Sequence, residues 1–254
     1  VNILIWNING LRAFLKKDKW DWLESLDPDL ICFQEIKARP DQLTKAQMAT
    51  FGARELCWNP AERPGYSGVA TFCKHAPDEV VLGMDAPEFD AEGRVLQTWY
   101  GDTGMFNIYF PNGQRDQERL DYKLAFYEHL LNYCQNLRAQ GKEIILGGDF
   151  NTCHTPIDLA RPKENKNTSG FMQIERDWVQ NYIDAGFVDL FRHKNPEQVQ
   201  YSWWTYRMNA RARNIGWRLD YYMVTPGLIG PNADTIIHDD IVGSDHCPVS
   251  LMLN

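Results

Sequence analysis

Hydrophobic positions in this chain gather in short blocks separated by Gly, Pro, Asn and Asp, and the blocks change period along the chain. "VNILIWNI" is an apolar, β-rich opening with the length of a buried strand. "DKWDWLESLDPDLICFQE" predicts a short helix stopped by Pro28 and then a second buried strand ending at Glu35. Further strands are expected at "YSGVATFCK", "RVLQTWY" and "MFNIYF". The clearest helix is "QRDQERLDYKLAFYEHLLNYCQNLRAQG": Leu120, Leu124, Tyr127, Leu131 and Cys134 recur at helical spacing, and Gly141 supplies the stop. The second half continues the alternation with a strand at "KEIILGGD", a helix near "IERDWVQNYIDAG", and strands at "VQYSWWTY", "GWRLDYYMV", "ADTIIH" and "CPVSLML". No composition break marks a linker, so residues 1–254 read as one domain, and the halves are too dissimilar to define a repeat. Strands this numerous, with few helices between them, suit two packed sheets covered by helices better than one wound parallel sheet.

Composition fits that picture. With 44% hydrophobic and 13% aromatic residues the chain can fill a large core, which excludes a disordered class. The apolar runs fall short of the roughly 20 residues of a membrane span, and no signal peptide or anchor is expected. The six cysteines form no Cys-x-x-Cys pair and sit in apolar contexts, which predicts a reducing, cytoplasmic setting; a monomer is expected. The net charge of −8 argues, as a sum, against a nucleic-acid partner. Its distribution argues the other way. "YRMNARARNIGWR" holds Arg207, Arg211, Arg213 and Arg218 without an acid, and "RPKENKN" is a second basic patch; both are expected as exposed loops.

Candidate chemistry lies where strands end. Asn7 and Asn9 follow the first strand, Glu35 the second, and Asp149 and Asn151 follow "IILGG", while Asp245 and His246 precede the last strand. Residues two apart in extended chain point the same way, so each pair can present two oxygen-bearing groups to one cleft. Carboxylate and amide oxygens with few imidazoles suit a hard divalent cation, Mg²⁺ or Mn²⁺, with Glu35 the best single ligand. Zinc is disfavoured because no Cys and His spacing forms a closed set. A thiol nucleophile at Cys247 is disfavoured by the apolar "CPVSLML" around it.

Six motifs in order, "WNINGLRA", "QE" (Gln34, Glu35), "GYSGVA", "GGDFN", "NARARNIGWRLDY" and "GSDHCP", span nearly the whole chain. Together they resemble the motif set of the exonuclease III family of apurinic/apyrimidinic endonucleases. The resemblance implies a four-layered α/β sandwich of two mixed β-sheets flanked by helices, and a Mg²⁺-dependent phosphodiesterase of base excision repair. It maps Glu35 to the metal ligand with Asn7 in support, Asp149 to the group that activates water, and Asn151 to one that orients water or phosphate. His246 corresponds to a phosphate-contacting histidine partnered by Asp220, Tyr109 and Asn112 to phosphate contacts, and Asp245 to the metal-site network. One ion at Glu35, or a second at Asp149, Asn151 and His246, are both compatible with this set. Asn9 departs from the mammalian pattern, which has Asp, and removes one charge.

The same resemblance implies a pocket for a flipped abasic sugar at Trp203, Trp217 and Leu219, with Trp204 left to the core. Thr168 and Ser169, before Gly170, are expected to leave room for the sugar. Arg115, Arg207 and Met208 are expected to enter the grooves of a kinked duplex. The implied substrate is double-stranded DNA carrying an abasic site or a blocked 3′ end, cut to leave a 3′-hydroxyl. A dedicated 3′–5′ exonuclease of the same fold is the alternative; a DNA-binding module without catalysis is remoter, since no catalytic position is apolar. Inositol-phosphate and sphingomyelin phosphoesterases share the superfamily, but the arginine loop and "NIGWRLDY" speak for DNA.

Overall fold

A computed structural model describes residues 1–253. Twelve strands form two six-stranded sheets. The first has the order β11 (Asp234–Ile237), β12 (Val249–Met252), β1 (Asn2–Asn7), β2 (Leu30–Gln34), β4 (Val69–Cys73), β3 (Glu55–Asn59). The second runs β5 (Glu79–Leu82), β6 (Val95–Tyr100), β7 (Thr103–Tyr109), β8 (Glu143–Asp149), β10 (Asp220–Val224), β9 (Val188–Asp189). Each has one parallel pair at its centre, β1 with β2 and β7 with β8, and antiparallel neighbours on both sides. The two sheets therefore share one spatial order and direction of strands, with the β11–β12 pair of the first drawn from the far end of the chain.

Ile3, Ile5 and Cys32 of the first sheet share a buried core with Met105, Ile145 and Tyr222 of the second, so the sheets pack face to face. On the outer side of the first sheet, Leu4, Phe33 and Phe72 pack on Leu11, Phe14 and Trp20. On the outer side of the second, Phe106, Leu146 and Met223 pack on Phe126, Tyr127 and Leu130 of the helix Gln117–Ala139 and on Val179 and Tyr182 of the helix Gln173–Asp184. Four layers result, as expected. Burying one such side chain is worth about 1.5–3 kcal/mol, which is why near-continuous apolar strands settle in the two middle layers.

Local differences have physical reasons. The long helix starts at an Asp116 cap whose carboxylate accepts from Arg119 N at 2.8 Å, and it stops before Gly141, which has φ +84. Of the periodic residues Leu120, Tyr127 and Cys134 are buried, joined by Lys123, Phe126 and Leu130, while Leu124 and Leu131 are only half-buried. "VQYSWWTY" forms no strand, because Trp203 makes only isolated bridges to Trp217 and His246. The expected exposure of the arginine stretch fails at Arg218. This residue is fully buried and paired with Asp158 at 2.8 Å and Asp189 at 2.7 Å.

Candidate active site

Parallel pairing sets the site. Because β1 lies parallel to β2 and β7 to β8, with Asn7 opposite Gln34 and Tyr109 opposite Asp149, the C-terminal ends of the paired strands share one edge of their sheet. Antiparallel β10 begins at that edge with Asp220 opposite Asp149, and antiparallel β12 brings His246 there from the segment before it. Beneath the edge, Gln34 Nε2 donates across the sheets to Asn107 Oδ1 at 2.7 Å, and Asn107 Nδ2 donates to Ala70 O at 2.9 Å. Both amides are fully buried, so this link fixes how the sheets meet. Gly148 permits the approach of β8 to β7: a Cβ there would lie 1.9 Å from Ile108 O.

The polar ends then meet. Asn7 Nδ2 donates to Asp149 Oδ2 at 2.9 Å and to Glu35 Oε1 at 3.1 Å, joining a carboxylate of each sheet. Asn151 N donates to Asp149 Oδ1 at 2.8 Å, and Asn151 Nδ2 lies 3.3 Å from Asp149 Oδ2. Asn112, which is exposed, donates from Nδ2 to Asn151 Oδ1 at 3.3 Å. His246 has Nδ1 2.8 Å from Asp220 Oδ2 and Nε2 3.6 Å from Asp149 Oδ2. The second distance exceeds a hydrogen bond, so Nε2 is free to face a substrate oxygen. Asn9, Glu35 and Asn151 all have φ near +50, a conformation side chains other than glycine adopt at a cost and which clusters at functional sites.

Charge is arranged unevenly. Burial pushes Asp149 up, and the facing Asp220 adds to it, while His246 opposes; the carboxyl rises to about 7. Burial would lower His246, but Asp220 and Asp149 override it and hold the imidazole near 10. Glu35 is buried against the trend of its charge, yet Lys37 at 2.8 Å lowers it below the usual carboxylate range. The Tyr109 phenol is driven well above its ordinary value by burial and then by Glu35. Asp149, Asp220 and His246 have ligand atoms within 4.8 Å of one another, a group that could hold a metal ion. Asp220 Oδ1 is buried without a hydrogen-bond partner, and five of this region's donors are oxygens of Glu35, Asp149, Asp220, Asn7 and Asn151 against one imidazole. That donor set fits a hard divalent cation.

Asp245 is joined to the candidate metal ligand Glu35 by a chain of hydrogen bonds through Asn9 and Lys37. Its carboxylate accepts from Asn9 Nδ2 at 3.1 Å, Ser244 Oγ at 3.0 Å and Trp203 Nε1 at 3.2 Å. Asn9 suits this position because its amide donates to Asp245 while accepting from Lys37 at 2.6 Å. Beside His246, Trp203 and Trp217 stand at 88° and pack on Leu219, Cys153, Leu159 and Phe171, forming an aromatic wall. Trp204 is core, and Cys247 is fully buried with its thiol driven well up by burial. Arg207 and Met208 project from the turn Arg207–Asn209, Met208 being 82% exposed, and Arg115 is exposed beside Asp116. Lys37 and Phe171 were not legible as site residues: "QEIK" offers only proximity to Glu35, and Phe171 offers no signal at all.

A profile described as the Endonuclease/Exonuclease/phosphatase family matches residues 4–246. The chain belongs to that family, and it is an enzyme. It is 43% identical over 256 residues to the Bacillus subtilis (strain 168) protein named Exodeoxyribonuclease, covering 100% of both chains. It is 39% identical over 255 residues to the Danio rerio DNA repair nuclease APEX1, covering 100% of this chain and 82% of that protein. Among solved structures, an AP endonuclease from Archaeoglobus fulgidus matches with a TM-score of 0.88 at 27% identity, covering 100% of this chain and 99% of that one. The family expected from the motifs and the fold expected from it are both found. No helix among the described residues is long and apolar enough to cross a membrane.

Proposed function

We propose that the chain is a divalent-cation-dependent DNA phosphodiesterase of base excision repair that cuts 5′ to an abasic site and leaves a 3′-hydroxyl. Removal of blocking groups and matched nucleotides from 3′ ends is its side activity. The observation that carries this reading is the Asn7 amide, which ties Glu35 of one sheet to Asp149 of the other beside the His246–Asp220 pair. The nuclease names of both sequence relatives support DNA as the substrate.

In this mechanism Asp149 takes the proton of the attacking water, for which its raised basicity suits it. The His246 imidazolium donates from Nε2 to a phosphoryl oxygen, while Asp220 accepts from Nδ1 and keeps the ring charged. Asn151, Asn112 and Tyr109 offer hydrogen bonds to the phosphate and water. Glu35 with Asn7 would hold Mg²⁺ or Mn²⁺ while His246 is charged; an ion at Asp149, Asn151, Asp220 and His246 would instead require a neutral imidazole, and either ion would supply charge against the phosphoryl and leaving oxygens. Trp203, Trp217, Leu219 and Phe171 exclude water around a flipped sugar. Arg115, Arg207 and Met208 lie exposed to meet the duplex.

The 43% identity to an exodeoxyribonuclease favours a second reading, in which 3′-end removal is the main activity. Rates on two matched duplexes decide between them, one with an internal abasic analogue and one with an ordinary paired 3′ end. Faster nicking of the first supports the proposal; faster shortening of the second supports the alternative.

A further inference from the structure

Lys123 lies in the apolar face of the helix Gln117–Ala139 and is fully buried, as is Glu175 in the first turn of the helix Gln173–Asp184. Lys123 Nζ donates to Glu175 Oε1 at 2.7 Å and to the backbone carbonyl of Asn151 at 2.8 Å. Glu175 collects more. Its Oε1 accepts from Ser169 Oγ at 2.8 Å, and its Oε2 from Gly170 N at 2.6 Å and Met172 N at 3.2 Å. Gly170 O in turn accepts from Cys153 N at 2.8 Å.

The pair thus joins two segments that share no helix or strand. One is Asn151, held at φ +51 with its amide against Asp149; the other is Gly170, at φ +95. A Cβ on Gly170 would lie 3.1 Å from the Trp217 ring and 3.2 Å from Asn151 O, so the two segments and the aromatic wall are already in contact. As a stabiliser such a pair is replaceable: apolar side chains of similar volume often do as well as a buried ion pair. Apolar side chains would not hold the Asn151 carbonyl or the Gly170 N–H.

We infer that Lys123 and Glu175 are positioning residues: their buried ion pair holds Asn151 at the reacting centre and fixes the Ser169–Gly170 turn against the lesion pocket. One internal clamp then sets both turnover and lesion fit. The inference rests on the DNA-cleavage reading above.

The test pairs Lys123→Met with Glu175→Met in one variant and compares it with wild type and with Lys123→Arg. Thermal melting, hydrogen exchange at the Gly170 amide, and kcat and KM on an abasic-analogue duplex are measured. The double variant is expected to fold but melt below wild type, because the Asn151 carbonyl and the Gly170 N–H lose their partners, to exchange Gly170 faster, and to lose roughly 10- to 100-fold in kcat with KM little changed. Its preference for abasic nicking over 3′-nucleotide removal falls as well, and Lys123→Arg, which keeps a cationic donor, retains most of the turnover. Wild-type kcat and unchanged Gly170 exchange in a folded double variant would overturn the inference. If the double variant does not fold, Glu175→Gln is read on the same measurements against the same outcomes. If wild type itself does not nick the duplex, the functional reading fails, and Gly170 exchange still decides the clamp.

Discussion

His246 Nδ1 lies 2.8 Å from Asp220 Oδ2, a contact between residues 26 apart that meet because β10 begins where the segment before β12 ends. The carboxylate holds the imidazole charged through neutral pH against the effect of its burial. Without Asp220 the charged ring loses its partner, so its pKa falls toward or below the ordinary value of about 6.5.

Asp220→Asn is therefore expected to lower turnover by roughly 100- to 10,000-fold at neutral pH and to move the alkaline limb of the pH–rate profile downward. The sign follows from the role: the donor is the protonated ring, present below its pKa and lost above it. An unshifted profile would show that His246 does not act as the charged donor.

Stability on the acid side is carried by a different cluster. Burial would raise Asp158, but Arg218 and then Arg192 hold it far below the usual carboxylate range. A depressed folded pKa contributes stability that is complete above about pH 5 and is lost progressively as pH falls from there through the folded pKa. Asp158→Asn leaves Arg218 buried with only Asp189, and is expected to cost about 3–5 kcal/mol at pH 7. The gap between the denaturant midpoints of variant and parent should narrow steadily as pH falls from about 5 toward 2 without closing at pH 3; a gap independent of pH would contradict the assignment.

Cys247 is expected to be inert. Its thiol is fully buried with Sγ toward Tyr201 O, so Cys247→Ser should keep turnover within about twofold, and iodoacetamide should not label it in the folded protein. Loss of activity without unfolding would make the thiol a participant.

On the surface, Arg207→Ala and Met208→Ala are expected to leave melting within about 0.5 kcal/mol of wild type while weakening DNA binding. For Arg207→Ala, the slope of log binding constant against log salt should fall by about 0.9, the mark of one lost phosphate contact. An unchanged slope would take Arg207 out of the interface.

What was legible in the sequence was what local periodicity and short motifs carry. Apolar strands β1 and β8 end in Asn7 and Asp149, and β2 is followed at once by Glu35, so the sequence alone places these groups at strand ends. What was illegible depended on distant partners. Lys123 reads as a break in an apolar stripe until Glu175, 52 residues on, is brought to it. Arg218 reads as surface charge until Asp158 and Asp189 enclose it. Strand β5 leaves no clear signal in the sequence: "EVVL" is short, and its Val80 and Leu82 are exposed at a sheet edge instead of entering the core. "VQYSWWTY" has the composition of a strand, but its β-prone residues form isolated bridges and aromatic packing instead of a ladder.

The central claim is that Asp149, poised beside His246, drives cation-dependent cleavage at an abasic site. Its most direct test is single-turnover nicking of a duplex with one abasic analogue by wild type and by Asp149→Asn, in Mg²⁺ and in EDTA, alongside a binding measurement. The account expects wild type to cut 5′ to the lesion in Mg²⁺ only, and Asp149→Asn to bind equally while cutting roughly 100- to 10,000-fold more slowly. Wild-type cleavage no greater than that of intact duplex, or near-normal cleavage by Asp149→Asn, would contradict it.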